Sequence, residues 1–349
     1  MNQIKTIYVN KPIDCGDDQP LEHSCVRFDC SIQDLTDARM LSAPNSLTRS
    51  MLVEKESKYL AQNALGLNFM VIYVNNCKCS HLGPTHEKYK STFLQVCNDH
   101  KIPCLLVNES LSQELLENIL NPTIDTETVG DVNFPTAFDF GIAWSSAQNE
   151  DHVYYQGFLL DGISLSTLEQ AYYPPNEQQL IQPKASLDNI HSLLRCCNSF
   201  ASYNAEFDCK ALKLSKAVSD IAYEDIWLTA VKYIIFNPGL YRTAERKLAR
   251  TKYGNMKSRS VDLLPFILEK PVAIEHRAAK DARDEHELRK FIKSNWIDPV
   301  HIESQWKPWQ LLNDFPLFLK RAYGGSYEDA SDVLTKCLPR FIKNPIKVY

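Results

Sequence analysis

The sequence predicts an α/β protein, a mixed sheet flanked by helices, on three observations. Residues 69–120 alternate apolar strand-like runs with helical segments, residues 123–160 carry three strand-like runs in succession, and from about residue 186 apolar residues recur at helical spacing. Such alternation builds sheets covered by helices, because each apolar sheet face has to be buried against another layer.

Taken in order, Phe69 to Val74 reads as a buried strand, Thr85 to His100 as a helix, Ile102 to Val107 as a strand and Ser110 to Leu120 as a helix. The segment Asn121 to Thr123 contains a proline and marks a boundary. Strands follow at Ile124 to Glu127, Ala137 to Ser145 and Val153 to Leu160, an order suited to antiparallel pairing. A helix at Ser186 to Cys196, a short strand at Phe200 to Tyr203 and a helix beginning close to Asp208 come next. Helical spacing then continues through Ile226 to Ile235, Val261 to Leu268 and Ala278 to Ile292.

The chain therefore divides into a small N-terminal α/β domain over 1–120, a second domain over 121–295 and a C-terminal extension over 296–349. The extension carries Trp306, Trp309, Phe315, Phe318 and Tyr323, too aromatic for a disordered tail, and is expected to pack on a domain. A total of 349 residues suits two domains, and 44% hydrophobic against 23% charged residues excludes a largely disordered or fibrous chain.

No run of about 18 uncharged apolar residues occurs and the N-terminus lacks an apolar signal core, so the expectation is a cytoplasmic protein without a membrane partner. In that compartment the eleven cysteines read as reduced thiols, mostly buried. A net charge of −5 speaks against coating nucleic acid by charge alone. It leaves room for a metal-dependent nuclease, whose site is acidic and whose bound cations supply positive charge.

The chemistry-bearing residues lie in three segments. Ile124-Asp125-Thr126-Glu127-Thr128 places two carboxylates at positions i and i+2 of a strand, where both point to one face and can share a cation. About one D-x-E is expected by chance in a chain of this length, and this is the one present. In Ser202-Tyr203-Asn204-Ala205-Glu206-Phe207-Asp208 a strand end runs into a helix start, and Asp208 alone would read equally well as a helix cap. His276-Arg277-Ala278-Ala279-Lys280-Asp281 puts an aspartate five residues after a histidine, a spacing found nowhere else in the chain. Its bland reading is a surface histidine at a helix start.

The order Asp-x-Glu, Asn-Ala-x-Phe-Asp, His-x4-Asp resembles the DEDDh 3′-to-5′ exonucleases of the DnaQ-like superfamily, over about residues 121–295. The resemblance implies a ribonuclease-H-like mixed sheet with the D-x-E strand at its centre. Asp125, Glu127, Asp208 and Asp281 would then hold two Mg2+ or Mn2+ ions about 3.5 to 4 Å apart, one activating water and the other stabilising the leaving 3′ oxygen. His276 would take the proton of the attacking water, imidazole being the side-chain type that titrates near neutrality. Four converging carboxylates also repel one another unless cations are bound, and hard oxygen ligands favour magnesium or manganese over zinc.

Substrate contacts are expected from Thr126, Thr128 and Asn204, and from Arg246, Lys247 and Arg250 in a stretch, Tyr241 to Arg259, with seven basic residues and one acidic, Glu245. A solvated helix face is the competing reading of that stretch. Asp225 stands where the family often has an acidic residue before a helix, a structural position. Tyr203 replaces the histidine that relatives often carry before Asn-Ala, and Val129-Gly130 replaces their second threonine. In the first 120 residues, Cys77, Cys79 and His81 with His86, and the group Asp14, Cys15, His23, Cys25 and Cys30, lack the spacing of structural zinc sites.

The expected activity is 3′-to-5′ hydrolysis of single-stranded nucleic acid, DNA favoured, releasing nucleoside 5′-monophosphates. The alternatives are a ribonuclease of the same superfamily that trims RNA or short oligonucleotides, and a non-catalytic nucleic-acid-binding or scaffold module. Residues 1–120 or 296–349 are the expected surfaces for a second copy or a protein partner.

Overall fold

The structure, a computed structural model, describes residues 5–12, 23–30, 39–42, 69–74, 83–162, 164, 183–214, 221–272, 276–299 and 306–346. Cys77, Cys79 and His81 of one possible zinc group, and Asp14 and Cys15 of the other, lie outside the described residues.

Two mixed sheets organise the chain. The first has the order β3-β2-β1-β4-β5, from β1 (Lys5–Pro12), β2 (His23–Cys30), β3 (Arg39–Ser42), β4 (Phe69–Val74) and β5 (Cys104–Val107). Strands β1 to β3 pair antiparallel, whereas β4 runs parallel to both β1 and β5. A parallel pair needs a crossover, and α1 (Gly83–Asp99) supplies the one between β4 and β5. The continuous apolar run of β4 fits a strand buried on both faces, with Met70 to Val74 fully buried.

The second sheet has six strands in the order β11-β10-β6-β7-β8-β9, from β6 (Thr123–Val129), β7 (Thr136–Ser145), β8 (Val153–Leu160), β9 (Lys184–Ala185), β10 (Ser199–Ser202) and β11 (Ala222–Asp225). Strands β6, β7 and β8 form an antiparallel meander and β9 runs parallel to β8. Helix α2 (Gln113–Ile119) is capped by Ser112, whose side chain accepts the Leu115 N–H, and α3 (Leu187–Cys196) begins with a capping box between Ser186 and Asn189. Both helices match the segments expected from apolar spacing, the first starting three residues later and ending one earlier than expected, the second starting one residue later and ending at Cys196 as expected.

The chain separates into two compact units. The first comprises Met1–Phe200, Phe207–Tyr223 and His276–Arg283; the second comprises Ala201–Glu206, Glu224–Glu275 and Asp284–Tyr349. Within the first unit one apolar core joins residues of both sheets, Ile72 and Leu105 with Phe140, Ile142, Trp144 and Phe158, and Leu193 and Leu194 of α3. Each such side chain stabilises by about 1.5–3 kcal/mol when fully buried. The Gln156 amide ties β8 to β5 of the first sheet, accepting from Leu106 N–H at 3.0 Å and donating to the Cys104 carbonyl at 2.7 Å.

The second unit is helical. Helix α5 (Ile226–Ile235) buries Ile226, Ala230, Val231, Ile234 and Ile235, and Asp225 caps it by accepting the Leu228 N–H, the structural role expected of that residue. Helix α6 (Pro238–Lys247) starts with proline after the Asn237 cap, and α7 (Ser260–Leu268) follows. The C-terminal residues fold as α9 (Pro308–Tyr323) and α10 (Ala330–Lys343) and bury Leu311, Phe315, Leu334 and Phe341 in this unit's core. Helix α4 (Ala205–Ala211) and helix α8 (Ala278–Asn295) carry the remaining residues singled out from the sequence.

Candidate metal centre

Strand β6 carries Asp125 and Glu127 on one face, two residues apart, with their Cα atoms opposite Gly141 and Asp139 of β7. The register slips between Glu127 and Thr128, a bulge of the kind that re-aims side chains beside active sites. Thr126 points to the other face and is buried.

The segment with His276 and Asp281 reaches β7 through a close approach. A Cβ on Gly141 would lie 2.0 Å from the Ala278 carbonyl oxygen, so only glycine lets the first turn of α8 meet the strand there. The Ala278 N–H, which a helix start leaves without a helical partner, donates to Asp139 Oδ2 at 3.2 Å. One turn on, Ala282 packs with Ala143 and Val153, and the Arg283 guanidinium lies over the Tyr155 ring at 5.4 Å. Small residues at 278, 279 and 282 make the approach possible, and an acidic Asp281 in the first turn is favoured by the helix dipole.

This docking brings together residues far apart in the chain. Ligand atoms of Glu127, His276 and Asp281 lie within 4.8 Å of one another, the group among the described residues with the spacing to hold a metal ion. His276 Nδ1 stands 4.0 Å from Glu127 Oε1, and the imidazole is 74% exposed. Its backbone has φ of 50°, a left-handed conformation that costs a non-glycine residue about 1–2 kcal/mol and is commonest where function holds a residue in place.

Burial drives the Glu127 carboxyl up to about 8, and the charges of Asp281 and Asp139 and a hydrogen bond with Asp281 push the same way against the pull of Arg277. Two carboxyl groups so close share a proton or need a cation between them. The two carboxylates therefore fit a divalent ion held by hard oxygen donors, with the His276 imidazole standing beside them.

The other two carboxylates stand outside that three-residue group. Asp125 shares its strand face with Glu127. Asp208 is 2% exposed, lies inside α4 and accepts a hydrogen bond on Oδ1 from the Thr126 hydroxyl at 2.6 Å. Thr126 thus holds Asp208, a partner that its place in the D-x-E segment does not announce. Thr128 lies at the bulge, and Asn204 adopts a left-handed φ of 67° before α4.

Tyr203 is buried, donates its hydroxyl to the Ser258 carbonyl at 2.6 Å and stacks on Trp227. Arg246 and Lys247 are exposed at the end of α6, and Arg250 donates to the carbonyls of Glu245 and Gly254. The residue that sequence reading missed is Asp139. Its signal is an acidic side chain inside the otherwise apolar run Ala137 to Trp144, where an uncompensated charge would be costly.

No helix among the described residues is long and apolar enough to cross a membrane. No family model and no curated protein matches the chain. Among solved structures, "Exonuclease X in complex with 5' overhanging duplex DNA" aligns over 51% of this chain and 94% of its own, at 17% identity and a TM-score of 0.29.

Proposed function

We propose that the chain is a divalent-metal-dependent 3′-to-5′ exonuclease acting on single-stranded nucleic acid, with DNA the favoured substrate. The observation that carries this reading is the meeting of Glu127, His276 and Asp281 within 4.8 Å, from two segments far apart in the chain that match the first and third of the exonuclease motifs. Asp125 and Asp208 complete the proposed ligand set.

Bound Mg2+ or Mn2+ would supply an acidic water and charge neutralisation at the scissile phosphate. His276 is the proposed general base. Its imidazole stands beside the Glu127 carboxylate, with Nδ1 4.0 Å from Oε1, close to where a metal-bound water would sit. Exposure of the imidazole suits exchange of that proton with solvent. Glu127 and Asp281 bind cations and, in their absence, hold a shared proton. Thr128 and Asn204 are assigned to the 3′ end of the strand and Arg246 and Lys247 to its phosphates, Arg250 being engaged by the carbonyls of its own turn.

The test is incubation of the purified chain with 5′-labelled single-stranded DNA and RNA, in magnesium and in excess chelator. The reading predicts stepwise shortening from the 3′ end with release of mononucleotides, faster on DNA and abolished by chelator. Intact strands in magnesium and in manganese at several pH values would reject it and leave a binding or scaffold role.

A further inference from the structure

The segment between α6 and α7 forms a small hairpin whose tip the catalytic reading does not use. Arg250 and Met256 form an antiparallel bridge, Thr251 N–H donates to the Asn255 carbonyl at 2.8 Å, and Gly254 N–H returns to Thr251 at 3.0 Å. Arg250 clamps the turn from beneath, donating to the Gly254 carbonyl at 3.2 Å and to the Glu245 carbonyl at 2.9 Å. At its base Met256 is buried, and its N–H donates to the Asn313 side chain at 2.8 Å. Gly254 at the tip has φ of 84°, open to glycine without strain.

This fixed turn presents Tyr253 to solvent, 78% exposed, with the Lys252 ammonium 5.0 Å from the ring centre. Arg246, Lys247 and Lys252 are exposed and Lys257 is half-buried, in a chain of net charge −5. Arg242 and Arg259, by contrast, bond Ser331 and Asp262 and belong to the scaffold. An aromatic ring held on a rigid turn among cations is the combination that binds single strands, the ring stacking a base and the cations tracking phosphates.

We infer that the 250–256 hairpin is a contact for single-stranded nucleic acid, with Tyr253 stacking a base and Lys252, Lys247 and Arg246 holding the adjoining phosphates. This deepens the nuclease reading by naming a contact for its substrate. Rigidity favours the contact, because a held ring loses little freedom on binding.

Fluorescence anisotropy of a labelled 20-nucleotide single strand, in chelator so that no cleavage occurs, tests it on the full chain. Tyr253→Ala is expected to weaken binding about five- to a hundredfold, while Tyr253→Phe keeps wild-type affinity because the ring remains. Lys252→Ala is expected to reduce the slope of log affinity against log salt by about 0.7, the value for one phosphate contact on a single strand. Melting curves of the variants should match wild type, since the side chains are exposed.

Unchanged affinity of Tyr253→Ala with an unchanged melting curve would overturn the inference. So would a wild-type chain that binds no single strand, an outcome that would point to an acidic protein partner for the basic tip. Loss of magnesium-dependent hydrolysis with Tyr253-dependent binding intact would instead reject the nuclease reading alone.

Discussion

Glu127 is the side chain on which the proposed chemistry turns, because burial and two neighbouring acids keep its proton to about pH 8. Between the ordinary carboxylate value of 4.5 and that pH, the folded chain binds more protons than the unfolded one. In chelator, stability from this group is therefore expected to fall as pH rises from about 4.5 through 8, by at most about 1.4 kcal/mol per unit. Thermal melting of wild type beside Glu127→Gln checks this, since the amide should flatten the slope. A cation has to displace the same proton, so apparent magnesium affinity is expected to drop up to tenfold per pH unit below about 8. Asp139→Asn keeps the acceptor for Ala278 N–H and removes a charge that raises Glu127, so it should move that affinity profile to lower pH. His276→Ala should leave metal affinity in calorimetry nearly unchanged and lower turnover roughly 10²- to 10⁴-fold, the worth of a general base. A large loss of metal affinity in that variant would instead make the imidazole a ligand.

At the scale of elements, the site depends on the start of α8 lying against β7. Gly141 permits it, since any side chain there would enter the Ala278 carbonyl. Gly141→Ala is expected to cost about 1–3 kcal/mol through overpacking and to lower activity at least tenfold by displacing Asp281 from Glu127, measured by melting and by turnover at saturating magnesium. Wild-type turnover in that variant would show that the docking does not position the site. Strands β4, β7 and β8 and helix α5 were legible in the sequence because long apolar runs or i, i+4 spacing declare themselves. Strands β1 to β3 were not, since Lys5, Asn10 and Lys11 break the apolar pattern of β1, whose pairing is set by distant strands. Helix α6 was seen as a basic stretch, although Asn237-Pro238 is a helix-start signal. The close approach at Gly141 had no local signal, because what it accommodates lies far along the chain.

For the whole molecule, motif order pointed to two distant segments, those of Glu127 and of His276 with Asp281, which the fold brings together, and periodicity could not have done so. Which acidic groups meet depends on tertiary docking: Glu127 and Asp281 converge with His276, and Asp208 answers to Thr126. The first 120 residues hold no motif, yet their sheet shares a core with the six-stranded sheet in one compact unit. Divalent ions that bind only the folded chain should stabilise it by mass action, about 2.7 kcal/mol at a hundred times the dissociation constant. Melting in magnesium is thus expected to exceed melting in chelator, and Asp281→Asn should abolish most of the difference. The most direct measurement is anomalous X-ray scattering from a crystal of the full chain soaked in manganese. The expected result is a manganese peak ligated by Glu127 and Asp281, with Asp125 and Asp208 completing a pair of sites. A soaked crystal with no peak between Glu127 and Asp281 would contradict it.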